Sequence, residues 1–214
     1  MAGSPTPHPI PEHDLIVLAG GGGSRLGGVD KAALTVGGRS LLDRVLEAAE
    51  AARRTVVVGA VRTPPGVLQT LEDPPAGGPV AGIAAGVAAL AVATGAARST
   101  AAAPWTLVIA VDQPTAAEAA PDLLTAAGVA WPQIDLVCPH DASGHPQWLL
   151  AAYRTASLRR ALVPFGSGHG VSVRRLVAGL TIGDVDTGHQ GDIDTWEDHA
   201  AWQERLSTPP DHRV

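Results

Sequence analysis

Short, uninterrupted apolar runs recur along the chain and predict the buried strands of a sheet. The two clearest are Leu15–Ala19, which leads into four glycines, and Trp105–Val111, which ends at Asp112. Apolar runs bounded by turn residues are typical of strands buried on both faces. The same criterion predicts further strands at Thr55–Gly59, Val67–Leu71, Ile134–Cys138, Leu149–Tyr153 and Thr181–Val185.

Apolar residues at helical spacing predict helices between these strands. Four such residues lie within Ser40–Arg54, where Ser40 and Asp43 have the spacing of a capping box. Further helices are predicted at Pro121–Ala127, Ser157–Val163, Val171–Ala178 and Thr195–Leu206. Strands that alternate with helices predict an α/β fold with a mostly parallel sheet covered on both faces. Such sheets bind ligands beyond the carboxyl ends of their strands.

The segment Pro74–Ala97 contains no charged residue and is long enough to span a bilayer. It consists mostly of alanine and glycine, and its larger residues Val80, Ile83, Val87 and Leu90 recur at helical spacing. One narrow stripe of larger side chains predicts a helix buried between layers rather than a membrane span.

Composition limits the function classes that remain. The net charge of −6 argues against a nucleic-acid partner, which usually selects a basic face. The single cysteine, Cys138, excludes an intramolecular disulfide and a multi-cysteine zinc site. Residues 1–13 hold four prolines and resemble no signal peptide. We predict flexible tails at 1–13 and 207–214, a single domain over 14–206, a cytoplasmic location and no membrane partner.

The glycine run Gly20–Gly23 carries the strongest chemical signal. Glycines let backbone N–H groups converge on phosphate oxygens, and Arg25 and Lys31 add positive charge. The run fits neither the G-x-G-x-x-G dinucleotide pattern nor the P-loop pattern. It therefore predicts a phosphate site of another type, with a plain glycine turn beside a solvated lysine as the alternative.

Asp112 follows a fully apolar strand, at the sheet edge where the glycine run also begins. A carboxylate beside a triphosphate is the hard oxygen ligand that Mg²⁺ prefers. The alternative is a helix N-cap, since Asp is favoured there and Pro114 could start a helix.

The segment 18–31 resembles the L-A-G-G-x-S-x-R-M-G-x-D-K signature of molybdenum cofactor guanylyltransferases (MobA-type), within the nucleotidyltransferase superfamily. The matching residues are Leu18, Ala19, Gly20, Gly21, Ser24, Arg25, Gly27, Asp30 and Lys31. One glycine is inserted before Asp30, and Leu26 replaces the usual methionine.

Four further segments resemble motifs of that family and follow its order. Gly78–Ile83 is similar to G-P-L-A-G-I, and Val111–Pro114 is similar to C-D-x-P. Gly144–Gln147, with the strand after it, is similar to the H-P strand, and Asp192–Thr195 is similar to N-x-N-T. An ordered set of this kind is more specific than any one motif.

The resemblance implies a three-layer Rossmann-like fold of the nucleotide-diphospho-sugar transferase type. It implies transfer of GMP from GTP to the terminal phosphate of molybdopterin, with release of pyrophosphate and with Mg²⁺ as cofactor. Molybdoenzymes or their chaperones are the further partners that it suggests. The resemblance assigns catalysis to Arg25, Lys31 and Asp112, nucleotide binding to Leu18, Ala19, Gly20, Gly21, Lys31, Asp73 and Asp112, and the metal to Asp112 and Asp194.

Several alternatives stay open at this point. Asp192–Thr195 resembles the D-x-D-T of cytidylyltransferases more than N-x-N-T, so a molybdopterin cytidylyltransferase or another small NTP transferase is the second candidate. A non-catalytic nucleotide-binding regulator is the candidate from another class. For Asp73, the alternative is a turn residue before Pro74.

Overall fold

The computed structural model describes residues 10–21, 26–96, 101–188 and 191–207. Most of the two predicted tails, and residues 22–25 with Arg25, lie outside the described residues. The strands are β1 (His13–Leu18), β2 (Thr35–Val36), β3 (Arg39–Ser40), β4 (Thr55–Val58), β5 (Leu68–Thr70), β6 (Trp105–Ala110), β7 (Leu136–Cys138), β8 (Leu150–Arg154) and β9 (Ile182–Asp184). The α-helices are α1 (Leu41–Val45), α2 (Pro79–Ala96), α3 (Ala116–Val129), α4 (Thr155–Leu162), α5 (Val173–Val177) and α6 (Trp196–Ser207).

The described residues form one seven-stranded sheet in the order β5-β4-β1-β6-β8-β7-β9. β1 pairs in parallel with both β4 and β6, and β7 pairs in parallel with β9. Only β8 runs against its neighbours in this sheet, β6 and β7. The prediction of a mostly parallel sheet is therefore confirmed, and the carboxyl ends of β1, β4 and β6 meet at one edge.

Two apolar layers cover the sheet, because successive residues of a strand face opposite sides. Leu15 and Val17 of β1 pack in the layer that contains α1, α3 and α6. Ile16 and Leu18 pack in the layer that contains α2, α4 and α5. All four side chains are buried, so β1 is a central strand of the three-layer fold that the resemblance implies.

Helix α2 is buried through the stripe that the sequence predicts, with Val80, Ile83 and Leu90 at most 3% exposed. Glycines bring it close to β1: a Cβ at Gly82 would lie 3.0 Å from Leu18 Cδ2, and one at Gly86 would lie 2.8 Å from Ile16 Cγ2. Among the described helices, none combines the length and the apolar character needed to cross a membrane.

The helix predicted over Ser40–Arg54 is only partly α-helical. Ser40 accepts a hydrogen bond from the Asp43 amide as N-cap, but after Val45 the chain tightens into a 3₁₀ helix over Leu46–Ala51. The backbone amide of Arg53 donates to the His13 carbonyl oxygen at 2.9 Å. The helix ends at Ala51, and Ala52 already has the extended conformation that leads into β4.

Two other elements differ from their predictions. α3 begins at Ala116 and contains Pro121 inside it, although proline is most often found in the first turn of a helix. The hairpin formed by β2 and β3 was not predicted. Its turn is Gly37-Gly38, with φ values of 57° and 78°, the positive values that a two-residue hairpin turn requires.

A buried ion pair holds β1 to the start of β4. Arg54 donates through Nε to Asp14 Oδ1 at 3.1 Å and through Nη2 to Asp14 Oδ2 at 2.6 Å. Asp14 is 2% exposed, and the Arg54 side chain is 16% exposed. Arg54 Nη1 also donates to the Leu90 carbonyl oxygen at 2.9 Å, so this one side chain connects the amino-terminal ends of β1 and β4 to α2.

Replacing Asp14 with alanine is expected to lower the free energy of unfolding by about 3 kcal/mol, because Arg54 would stay buried without its anion. The measurement is urea denaturation. Glu12→Ala serves as the control, since Glu12 is 71% exposed and pairs with Arg53 at the surface; its effect should stay within about 0.5 kcal/mol. Equal stability of the two variants would contradict the role given to Asp14.

Candidate active site

A cavity of about 970 Å³ opens at the carboxyl ends of β1, β4 and β6. Its lining includes the predicted binding residues Leu18, Ala19, Gly20, Gly21, Lys31, Asp112 and Asp194. Residues from the start of α2, among them Gly78, Pro79 and Gly82, form the wall on the other side. The structure thus brings four of the sequence motifs to one cavity at the sheet edge where a ligand is expected.

Close backbone packing shapes the loop that follows β1. The amide of Ala19 donates to the Val58 carbonyl oxygen at 2.9 Å. A Cβ at Gly59 would lie 2.8 Å from the Ala19 carbonyl carbon, so only glycine fits beside this loop without a shift. Gly21 has φ of 139°, which side chains rarely allow. The end of β4 therefore supports the backbone of Gly20 and Gly21 from behind.

Lys31 is anchored at the start of a 3₁₀ helix, Lys31–Ala33, whose N-cap is Asp30. Its Nζ donates to Asp112 Oδ2 at 3.0 Å and to Asp194 Oδ1 at 2.8 Å. Burial alone would lower the pKa of Lys31, but the charges and hydrogen bonds of Asp112 and Asp194 outweigh it and raise the pKa. Lys31 is therefore a cation at neutral pH, held between two carboxylates.

The loop that carries Asp194 is held in place by two sets of hydrogen bonds. The Ile193 amide donates to the Asp112 carbonyl oxygen at 2.9 Å, and the Ile193 side chain is fully buried. At the start of α6, the Asp198 amide donates to Thr195 Oγ1 at 3.1 Å, and the Thr195 amide donates to Asp198 Oδ2 at 2.8 Å. This reciprocal capping box fixes the residues next to Asp194.

The capping carboxylate is itself stabilised in its charged form. Burial opposes ionisation of Asp198, but hydrogen bonds from the Thr195 hydroxyl and amide and from the Asp194 amide more than offset it and lower its pKa. The cap is therefore charged at neutral pH, and it keeps the end of α6 firmly attached to the acidic loop.

A third carboxylate, Asp192, joins the site. One carboxylate oxygen from each of Asp112, Asp192 and Asp194 lies within 4.8 Å of the others. Desolvation, and then the charges of Asp112 and Asp194, raise the pKa of Asp192. The sequence assigned no role to Asp192, although its i, i+2 spacing from Asp194 is the signal that could have found it. Three oxygen donors around one point suit a hard divalent cation.

Other sequence candidates lie elsewhere. Asp73 is exposed and does not line the cavity, although its neighbours Glu72 and Pro75 do. Cys138 is a fully buried strand residue, as predicted. Burial raises the pKa of its thiol to about 12, so it stays protonated and is no nucleophile.

Replacing Lys31 with methionine removes the ammonium that lies between two of the three carboxylates. The variant is expected to melt at a lower temperature than the wild type at pH 7, and to gain more thermal stability than the wild type from added Mg²⁺. Arg39→Met is the control, because Arg39 pairs with Glu47 and the backbone at an exposed position, away from the cavity. An unchanged melting temperature and an unchanged Mg²⁺ response would contradict this charge balance.

The raised pKa of Asp192 predicts a pH-dependent effect of Asp192→Asn. The pKa of an aspartate in the unfolded chain is near 3.9, and that of Asp192 in the folded protein is higher. Below the unfolded pKa the group adds its full contribution to the stability of the fold. That contribution is lost as the pH rises through the folded pKa. At pH 7 the ionised Asp192 therefore opposes folding, so the variant should melt at a higher temperature than the wild type without metal.

Thermal unfolding between pH 7 and pH 4 tests this expectation. The gain in melting temperature from Asp192→Asn should shrink as the pH falls, whereas the exposed Asp122→Asn on α3 should show no such trend. A gain that is independent of pH would rule out repulsion among the carboxylates as its cause.

Solved structures with the same fold include several nucleotidyltransferases. Molybdopterin-guanine dinucleotide biosynthesis protein A from Archaeoglobus fulgidus aligns with a TM-score of 0.64 at 20% identity, covering 91% of this chain and 98% of that chain. The 2-C-methyl-D-erythritol 4-phosphate cytidylyltransferase from Thermus thermophilus aligns with a TM-score of 0.61 at 20% identity, covering 92% and 100%. The inositol-1-phosphate CTP transferase from T. maritima aligns with a TM-score of 0.61 at 13% identity, covering 95% and 98%.

These structural similarities establish the fold, and the family model adds the class of reaction. No curated protein matches the sequence. The model of the MobA-like NTP transferase domain matches residues 15–182, which is most of the chain and includes Lys31, Asp112 and all of β1 after Asp14. The chain therefore belongs to the MobA-like NTP transferase family and is a nucleotidyltransferase.

Proposed function

We propose that this nucleotidyltransferase transfers GMP from GTP to the terminal phosphate of molybdopterin and releases pyrophosphate. One observation supports this proposal above all others: Lys31 lies between Asp112 and Asp194 beside the Gly20-Gly21 backbone. The Gly20-Gly21 backbone, an ammonium and a carboxylate pair thus line one cavity that is large enough for a nucleotide, and these are the groups that a bound triphosphate and its cation would need. Molybdoenzymes or their chaperones would receive the product, in the cytoplasm.

The carboxylates fit a Mg²⁺ cofactor. Asp112 and Asp194 would hold the ion, with Asp192 close enough to contribute a third oxygen. Bound there, Mg²⁺ would supply positive charge beside the α-phosphate of GTP. Desolvation is the largest cause of the raised pKa of Asp192, and the charges of Asp112 and Asp194 add to it. The site thus holds three carboxylates and the single ammonium of Lys31, and a further cation would reduce the repulsion among the carboxylates.

The residues of the chain act by positioning and by charge. The backbone of Gly20 and Gly21 binds the triphosphate, and Lys31 offsets negative charge as it builds up there. Arg25 is proposed to add a second positive charge at the phosphates, although it lies outside the described residues. The terminal phosphate of the acceptor has a second pKa near ~6, so it attacks as a dianion and needs no general base.

The choice of guanine is supported by sequence similarity. Asp30-Lys31 and Gly78–Ile83 resemble the guanylyl branch, and the second of these segments begins the cavity wall at α2. Gly59 stands where that family often has asparagine, and the Ala19 backbone leaves no room for a Cβ there. A contact to the base or ribose from this position is therefore lacking.

CTP is the second candidate donor. The acidic pair Asp192 and Asp194 resembles the D-x-D-T of cytidylyltransferases, and both aspartates lie at the site. Parallel assays with GTP and CTP at equal concentrations decide between the two donors, because the proposed metal and phosphate contacts are the same for both.

Pyrophosphate release in the presence of molybdopterin and Mg²⁺ tests the proposal. We expect GTP to support turnover and Asp112→Asn to lower it by ~10²-fold or more, because the variant loses a charge at the reacting phosphate. Asp122→Asn, at an exposed position of α3, is the matched control and should retain wild-type activity. Wild-type turnover by Asp112→Asn would remove Asp112 from the mechanism.

A further inference from the structure

A small recess of about 200 Å³ adjoins the main cavity on the far side of Asp112. The two spaces share Ala110, Asp112 and Leu149. The recess is too small for a nucleotide and is of a size that takes one ring system or a similar fragment. A molecule seated there would face the proposed nucleotide site across the Asp112 carboxylate.

Two buried polar atoms beside this recess lack partners. Gln113 is 3% exposed, and within the described part of the chain neither its Oε1 nor the indole Nε1 of Trp148 has a hydrogen-bond partner. Both residues line the recess. Buried donors and acceptors are nearly always paired, and an unpaired one destabilises the fold. Two such atoms at one recess indicate a ligand that pairs with them.

Local hydrogen bonding does not require the polar atoms of either side chain, although the Trp148 ring packs against the apolar layer that contains α2. The turn after β6 uses only the main chain of Gln113, whose amide donates to the Ala110 carbonyl oxygen at 3.3 Å and whose carbonyl oxygen accepts from the Ala116 amide at 3.2 Å. Trp148 is likewise held through its backbone, since Tyr153 Oη donates to the Trp148 carbonyl oxygen at 2.7 Å. An apolar residue at position 113 could make the same turn.

The rest of the lining has an apolar part and a polar part. Pro146, Leu149 and Val173 supply apolar surface that suits a flat ring, and Gln147 and the carboxylates Asp112 and Asp192 line the recess as well. The Gln113 amide can accept or donate, and the Trp148 indole donates only. Together they match a planar heterocycle that has a ring N–H next to a carbonyl group, because such an edge carries one donor and one acceptor.

We infer that this recess is the acceptor-ring subsite, in which Gln113 and Trp148 bind a pterin-type lactam edge of the acceptor. The inference rests on the proposed function, since the acceptor phosphate would then extend from the ring past Asp112 towards the α-phosphate of the nucleotide. Gln113 and Trp148 act as specificity residues for the acceptor, and neither contributes to nucleotide binding.

The test compares Gln113→Met and Trp148→Phe with the wild type in two measurements. Each variant should raise the KM for molybdopterin by about tenfold, as expected when a bound polar group loses its partner, with little change in kcat. Binding of free pterin, followed by its fluorescence, should weaken by a similar factor. Gln133→Met and Trp131→Phe, both at exposed positions, are the matched controls and should match the wild type.

A third measurement separates this inference from the proposed function. GTP with Mg²⁺ should raise the melting temperature of every variant as much as that of the wild type. If it does not raise the melting temperature of the wild type, that result counts against the proposed function rather than against the subsite. Wild-type protein that fails to bind pterin would overturn the subsite, as would variants with unchanged KM and pterin affinity. In the apo state, Gln113→Met should melt at or above the wild-type temperature.

A purely structural role predicts a different pattern. If the Trp148 indole donated to the Gln113 amide in solution, both variants would melt at a lower temperature while KM and pterin affinity stayed unchanged. That result would also overturn the subsite.

Discussion

The 2.9 Å hydrogen bond from the Ile193 amide to the Asp112 carbonyl oxygen joins two acidic segments that lie far apart in the sequence. With the buried Ile193 side chain as an anchor, it brings Asp192 and Asp194 to the end of β6. Three carboxylates gathered in this way repel one another, and Lys31 offsets only part of their charge. A fold that tolerates this cost at its main cavity has the electrostatics expected of the cation site that we propose.

Glycines at close contacts give the same site its shape. Gly82 and Gly86 let α2 approach β1 closely, and Gly59 lets the end of β4 pack against the loop after β1. A side chain at any of these positions would separate the layers or displace the loop after β1. The cavity and the acidic cluster thus depend on one another, because both are built on the carboxyl ends of β1 and β6.

Much of this arrangement could be predicted from the sequence. Apolar runs located the strands to within two residues at either end, and the positions after β1 and β6 led directly to Gly20 and Asp112. The hairpin strands β2 and β3 are only two residues long, too short for an apolar pattern, and Gly37-Gly38 between them is the one local signal of a turn. The approach of Asp192 and Asp194 to Asp112, and the unpartnered Oε1 of Gln113, depend on contacts between distant segments, which no local pattern encodes.

Thermal unfolding with GTP, CTP, ATP and UTP, each with and without Mg²⁺, tests most directly whether the cavity with Lys31 and Asp112 is a nucleotide site. At ~100 times its dissociation constant, a nucleotide should add about 2.7 kcal/mol to the free energy of unfolding. The account predicts this stabilisation for GTP in the presence of Mg²⁺. Stabilisation by CTP instead of GTP would change only the base that we assign to the donor nucleotide. A protein whose stability is the same with every nucleotide, with or without Mg²⁺, would contradict it.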